Sequence, residues 1–195
     1  MLDTHGRKYV QPFIEKTAKI FVEVGLSANQ ITTTAFIIGV TTGPLIYFEY
    51  MGLAVLMLWI SGFLDAVDGT MARLTKPSAW GTVLDVSFDR AVEISVIIGL
   101  AFRFPEAMWI LLLLSVAIIY AMTVFLTVGA VSENKGVKSF HYPTGLGERS
   151  EGFILFSLMM IFTNYLLWIT LLFLLMVVFT SLQRLAAARK LLKDI

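Results

Sequence analysis

Four aspartates, Asp65, Asp68, Asp85 and Asp89, stand close together in an otherwise oily chain. The apolar runs GLAVLMLWISGF before them and VEISVIIGLAF after them read as membrane helices. A carboxylate at hydrocarbon depth costs about 2.5–3.5 kcal/mol on insertion scales, so four together mark a functional site. Asp65 and Asp68 are three apart and Asp85 and Asp89 four apart, so on helices each pair shares one face. A hairpin turning through residues 75–80 brings the two faces together. Converging carboxylates repel one another unless cations sit between them. Hard oxygen ligands suit Mg²⁺ or Mn²⁺ rather than zinc. Carboxylates bridging from two helices also match a two-metal centre, whose ions lie about 3.5–4 Å apart. The competing reading pairs the acids with Arg73 and Arg90 as structural ion pairs. Gly69 and Gly81, beside the acidic pairs, favour a ligand that approaches the backbone.

The elements that must hold such a cluster follow from hydropathy. The chain is 57% hydrophobic, against about 45–50% in soluble domains, and its mean hydropathy is +0.81. Runs long enough to span a bilayer occupy 31–50, 53–74, 83–102, 107–131, 153–167 and 169–187, the fifth being short unless residues 145–151 add to it. Before them, Val10, Phe13, Ile14, Ala18, Phe21 and Val22 recur at helical spacing among Arg7, Lys8, Lys16 and Lys19. That pattern predicts a helix lying in the membrane interface. The expected fold is an all-α integral membrane protein with six transmembrane helices preceded by an N-terminal amphipathic interfacial helix. It forms a single domain over 1–195, with 1–28 interfacial and 29–195 a six-helix bundle.

With both termini cytoplasmic, fourteen of the fifteen basic residues fall on the inner side and only Arg103 on the outer. The expectation is therefore a multi-pass protein of the cell membrane with its acidic cluster at the cytoplasmic end. No cleavable signal peptide and no nucleic-acid partner are expected. The chain has no cysteine, so disulfides and thiolate metal sites are excluded, and His5 and His141 are too few for a zinc centre.

Several polar residues outside the acidic stretch have two readings. Ser27 or Asn29 could cap the first spanning helix. The polar loop 132–150 supplies Lys135, Lys138 and Arg149. Arg149 is read as lining the site mouth to bind an anionic substrate group, over the alternative of a solvated helix start. Glu93 continues the Asp85/Asp89 face and is a partner for Arg90 or Arg73, or a polar contact inside the bundle. The C-terminal run 184–193 is assigned to anionic lipid headgroups.

The pattern Asp65-x-x-Asp68-Gly69-x-x-Ala72-Arg73, then Gly81-x-x-x-Asp85-x-x-x-Asp89, resembles the signature of the CDP-alcohol phosphotransferases. One departure is the seven-residue gap between Arg73 and Gly81, one fewer than in the commonest family form. The resemblance implies attack of a hydroxyl on the β-phosphorus of a CDP-linked alcohol, CDP-diacylglycerol above all, with release of CMP. It implies two Mg²⁺ or Mn²⁺ ions held by Asp65, Asp68 and Asp85. Asp89 is then the general base and also touches the second metal. Gly69, Arg73, Ser78 and Gly81 would hold the CDP moiety. Asn29 and Thr32 would face the diphosphate, in a segment resembling the family's Pro-Asn-x-x-Thr with Ala28 in place of proline. Glycerol 3-phosphate, an inositol phosphate and serine all qualify as the hydroxyl acceptor, and a homodimer in the bilayer is in keeping with the family.

The alternative from another class is a divalent-cation transporter or channel lined by the four aspartates. It leaves Gly69, Ala72, Arg73 and Gly81 unexplained and predicts acids at the outer end as well. A structural scaffold, the third reading, would tolerate neutralising any one aspartate.

Overall fold

The computed structural model describes residues 2–134 and 149–193, and every regular element among them is helical. Helix α1 spans Leu2–Glu23 and stops where Gly25 enters the left-handed region at φ 87°. There the Gly25 and Leu26 amides return to the Val22 and Phe21 carbonyls, a glycine stop that satisfies the helix end. Helix α2 (Ala28–Val40) opens on a reciprocal cap. The Gln30 amide donates to the Ser27 hydroxyl, and the Ser27 amide donates to the Gln30 side chain at 2.8 Å.

The apolar run 31–50 is not one helix. It breaks at Thr41 into α2 and the six-residue α3 (Thr42–Tyr47). Pro44 is the cause, since it has no amide to return to the Val40 carbonyl. Held away from water, that carbonyl needs another donor. The Ser95 hydroxyl supplies it, donating to the Val40 oxygen at 2.7 Å while accepting from the Gly43 amide at 3.3 Å. Ser95→Ala removes both bonds. It is expected to destabilise the protein by about 1–2 kcal/mol, read as a lower melting temperature in detergent.

Helices α4 (Met51–Leu74), α5 (Ala79–Arg103), α6 (Met108–Asn134), α7 (Arg149–Ile161) and α8 (Leu166–Lys193) complete the chain. Short 3₁₀ turns at Pro105–Ala107 and Thr163–Tyr165 lead into α6 and α8. The last turnaround therefore falls at Thr163 and Asn164, a few residues before the expected gap at 168. Helix α7, with 13 residues, is only about 20 Å long. It begins at Arg149, and residues 145–148, expected to extend it, lie outside the described residues. Among the described residues, three stretches are long and apolar enough to cross a membrane: Met51–Leu74, Pro105–Val131 and Thr163–Lys190. Helix α5 has the length, but Asp85, Asp89, Arg90 and Glu93 interrupt its N-terminal and middle turns.

Helix α2 is the keystone of the site, because it packs against both α4 and α5, which touch each other little. Phe36 stacks on Phe88 with centroids 4.1 Å apart, and the Ser61 hydroxyl donates to the Ala35 carbonyl at 2.8 Å. A Cβ on Gly39 would lie 2.5 Å from both Ser61 and Val92. A small residue there lets α2 settle between its neighbours. Helix α1 lies along α4, burying Ile14 and Ala18 against Val67 and Met71. Helices α6 and α8 pair on the other side, and α7 joins them to α4.

Candidate active site

The C-terminal half of α4 carries Asp65 and Asp68, and the N-terminal half of α5 carries Asp85 and Asp89. Carboxylate oxygens of Asp65, Asp68 and Asp85 all lie within 4.8 Å of one another. Asp68 is buried, its Oδ2 has no hydrogen-bond partner, and the Thr32 side chain lies beside it. A buried carboxylate oxygen without a donor is costly. A divalent cation is the partner that such an all-oxygen set fits.

Asp89 faces the same space but is held differently. The Arg149 guanidinium donates to its Oδ1 at 2.6 Å and with its other arm to Asp65 Oδ2, so α7 bridges α4 and α5. The Arg149 guanidinium also lies 5.5 Å from the Phe153 ring centroid. That ring presses on Gly62 so closely that a Cβ there would lie 2.4 Å from it. Sequence reading had no means to find Phe153 and Gly62, since this contact joins helices far apart in the chain.

Beside the aspartates, α2 and the start of α5 form a second cluster. Ser27 takes the cap of α2, which leaves the Asn29 side chain to point across to α5. Its Oδ1 lies 3.0 Å from where a Gly81 Cβ would stand, as does the Ser78 hydroxyl. Ser78 itself caps α5, accepting from the Gly81 amide at 2.9 Å. Arg73 is exposed, donates to the Thr70 hydroxyl at 2.8 Å, and lies over Gly69. Asn29, Ser78 and Gly81 are thus brought together, while Thr32 joins the aspartates.

On the far side of Asp85 and Asp89 a cavity of about 510 Å³ opens between α5, α6, α7 and α8. Arg90, Glu93, Arg149 and Arg184 line it with the two aspartates, and Met122, Phe125 and Phe173 supply apolar walls. Arg90 pairs with Glu93. Arg184 stands here, away from the lipid assignment made for its run. The signal was present in the sequence, because Phe173, Val177, Thr180 and Arg184 share one helical face. Lys135 and Lys138 lie outside the described residues.

A sequence profile of the CDP-alcohol phosphatidyltransferases matches residues 26–182, which covers the α2–α8 arrangement and every aspartate. The chain belongs to the CDP-alcohol phosphatidyltransferase family. Among curated members, it is 35% identical over 102 residues to an archaetidylinositol phosphate synthase of Pyrococcus horikoshii. That alignment covers 52% of this chain and 54% of the archaeal one, so the chain spans about half of that relative's length. It is 28% identical over 170 residues to the inner membrane protein YnjF of Escherichia coli, covering 81% of each. Among solved structures, the phosphatidylinositol phosphate synthase PgsA1 of Mycobacterium tuberculosis with manganese and citrate superposes with a TM-score of 0.71. The match runs at 22% identity over 90% of this chain and 88% of that one. The same enzyme with CDP-DAG bound gives 0.66 at 20% identity, covering 90% and 92%. At these identities the likeness establishes the family's fold.

Proposed function

We propose that this protein transfers a phosphatidyl-type group from a CDP-linked alcohol, CDP-diacylglycerol, to a hydroxyl acceptor with release of CMP. The observation that carries the reading is the three-aspartate cluster set between the Asn29–Ser78–Gly81 corner and the arginine-lined cavity. In this reading Asp65, Asp68 and Asp85 hold Mg²⁺ or Mn²⁺, and Asp89 reaches a second ion. Bound cations supply charge neutralisation of the diphosphate and of the departing CMP oxygen. Asn29, Gly69, Arg73, Ser78 and Gly81 seat the CDP moiety, with Thr32 beside the diphosphate. The acceptor hydroxyl attacks the β-phosphorus from the cavity side, the bond to the CMP oxygen breaks, and Asp89 takes the hydroxyl proton.

Three arginines in the cavity favour a phosphorylated acceptor. The relatives' names point to an inositol phosphate, a polyol that the cavity volume accommodates. The test incubates purified protein, Mn²⁺ and CDP-diacylglycerol with inositol phosphate, glycerol 3-phosphate or serine, and follows CMP. CMP with inositol phosphate alone is the expected result, and no CMP with any acceptor would refute the reading.

The membrane placement belongs to the same proposal: one domain over 1–195, six crossings, α1 in the interface, and both termini and the active site cytoplasmic. Supporting it, exposed Tyr47, Phe48, Tyr50, Phe102, Trp109 and Trp168 collect at the end opposite the aspartates, as an interfacial aromatic belt would. A homodimer through the exposed faces of α5 and α6 completes it, checked by cross-linking in membranes.

A cation channel is disfavoured because Ile46, Leu58, Val96, Leu100 and Leu111, all fully buried, fill the bundle beyond the acidic end. Arg73→Ala separates the readings further. Loss of a charge-assisted phosphate contact is expected to lower CMP release about 10–100-fold and to raise KM for CDP-diacylglycerol, leaving Mn²⁺ binding unchanged.

A further inference from the structure

We propose that Arg149 is the resident counter-ion of the aspartate cluster, and that incoming divalent cations displace it into the neighbouring cavity, where it binds an anion. The inference rests on the metal reading above. Arg149 grips Asp65 and Asp89 from a third helix, and Asp65 is also a member of the converging trio. A guanidinium and a hard cation compete for the same carboxylate lone pairs, and one oxygen edge cannot serve both fully. The electrostatics drive the exchange. Without metal, the carboxylates outnumber this one guanidinium and hold it. With two divalent cations in place the charge of the four aspartates is neutralised, and the arginine loses what held it.

The geometry gives the side chain somewhere to go. Arg149 is 35% exposed and already lines the 510 Å³ cavity with Arg90 and Arg184. Its backbone is anchored at the first residue of α7, while Phe153 is wedged on Gly62 one turn later. Displacement is therefore a side-chain rotation rather than a helix shift. Two consequences follow from a single movement. Asp89 is freed to accept a proton, and a second or third arginine becomes available to an acceptor anion. Metal and anion should then favour each other's binding by the same factor.

Mn²⁺ binding to the full-length protein in detergent, without nucleotide, tests this by electron paramagnetic resonance. Arg149→Gln is expected to bind Mn²⁺ at least about fivefold more tightly than wild type. Sulfate at constant ionic strength is expected to tighten Mn²⁺ binding in wild type and to have no effect in Arg149→Gln. Arg149→Lys keeps the charge without the two-armed grip and is expected to fall between them, which serves if Arg149→Gln does not fold. Equal or weaker Mn²⁺ binding in both variants, or a wild type indifferent to sulfate, would overturn the proposal while leaving the transferase reading intact. No Mn²⁺ on any of the three proteins would overturn both.

Discussion

Replacing Asp68 by asparagine is expected to lower CMP release at least about 10³-fold while leaving the helix bundle folded. The expectation comes from position rather than from charge alone. Asp68 is buried within the trio, and its Oδ2 has no protein donor, so that oxygen is left to a cation. An amide of the same shape fills the same space but brings one oxygen and a nitrogen that repels a cation. Stability should move the other way from activity. In EDTA the variant is expected to melt no lower than wild type, because a buried charge beside two like charges has been removed. Added Mg²⁺ should raise the wild-type melting temperature by binding the native state and should leave the variant unmoved. A variant that melts well below wild type in EDTA would mean that Asp68 serves the fold instead.

What the sequence made legible was whatever depends on spacing within one helix. The i,i+3 and i,i+4 pairs placed each two aspartates on one face, and Ser27 stood with Asn29 as a candidate cap for the helix that follows. What escaped were contacts between helices. A hydropathy window sees 31–50 as one apolar run, and the remedy for the Pro44 break is a hydroxyl on α5, at Ser95. The convergence of the acids was expected from a hairpin of their two helices. The structure achieves it through α2, which packs on both. The fifth span ended early because Thr163 and Asn164, ordinary turn formers, were hidden between apolar neighbours. Arg149 was assigned to the site mouth for a substrate anion, and its grip on Asp65 and Asp89 depends on a meeting of three helices that no linear pattern encodes.

The same dependence on close helix contact sets the second large effect. Gly99→Val is expected to abolish recovery of folded protein, and Gly99→Ala to cost about 1–3 kcal/mol or more. A Cβ at Gly99 would stand 2.5 Å from the Gly43 carbonyl oxygen and 2.8 Å from the Gly43 Cα. These are backbone atoms and cannot rotate away, unlike the Arg73 side chain near Gly69, where a Cβ would meet only the tip at 3.6 Å. The partner glycine is equally confined, since a Cβ on Gly43 would fall 2.4 Å from the Ser95 carbonyl oxygen. Separating α3 from α5 to make room would also stretch the Ser95 bonds that satisfy the Val40 carbonyl and the Gly43 amide. Both bonds are partly buried, so steric and hydrogen-bond costs add. Gly69→Ala is the control. Melting in detergent should place it within about 1 kcal/mol of wild type, because an alanine in a helix is intrinsically favoured over glycine. If Gly99→Ala melts like Gly69→Ala, the α3–α5 contact is looser than these distances and the break between α2 and α3 is not held by it.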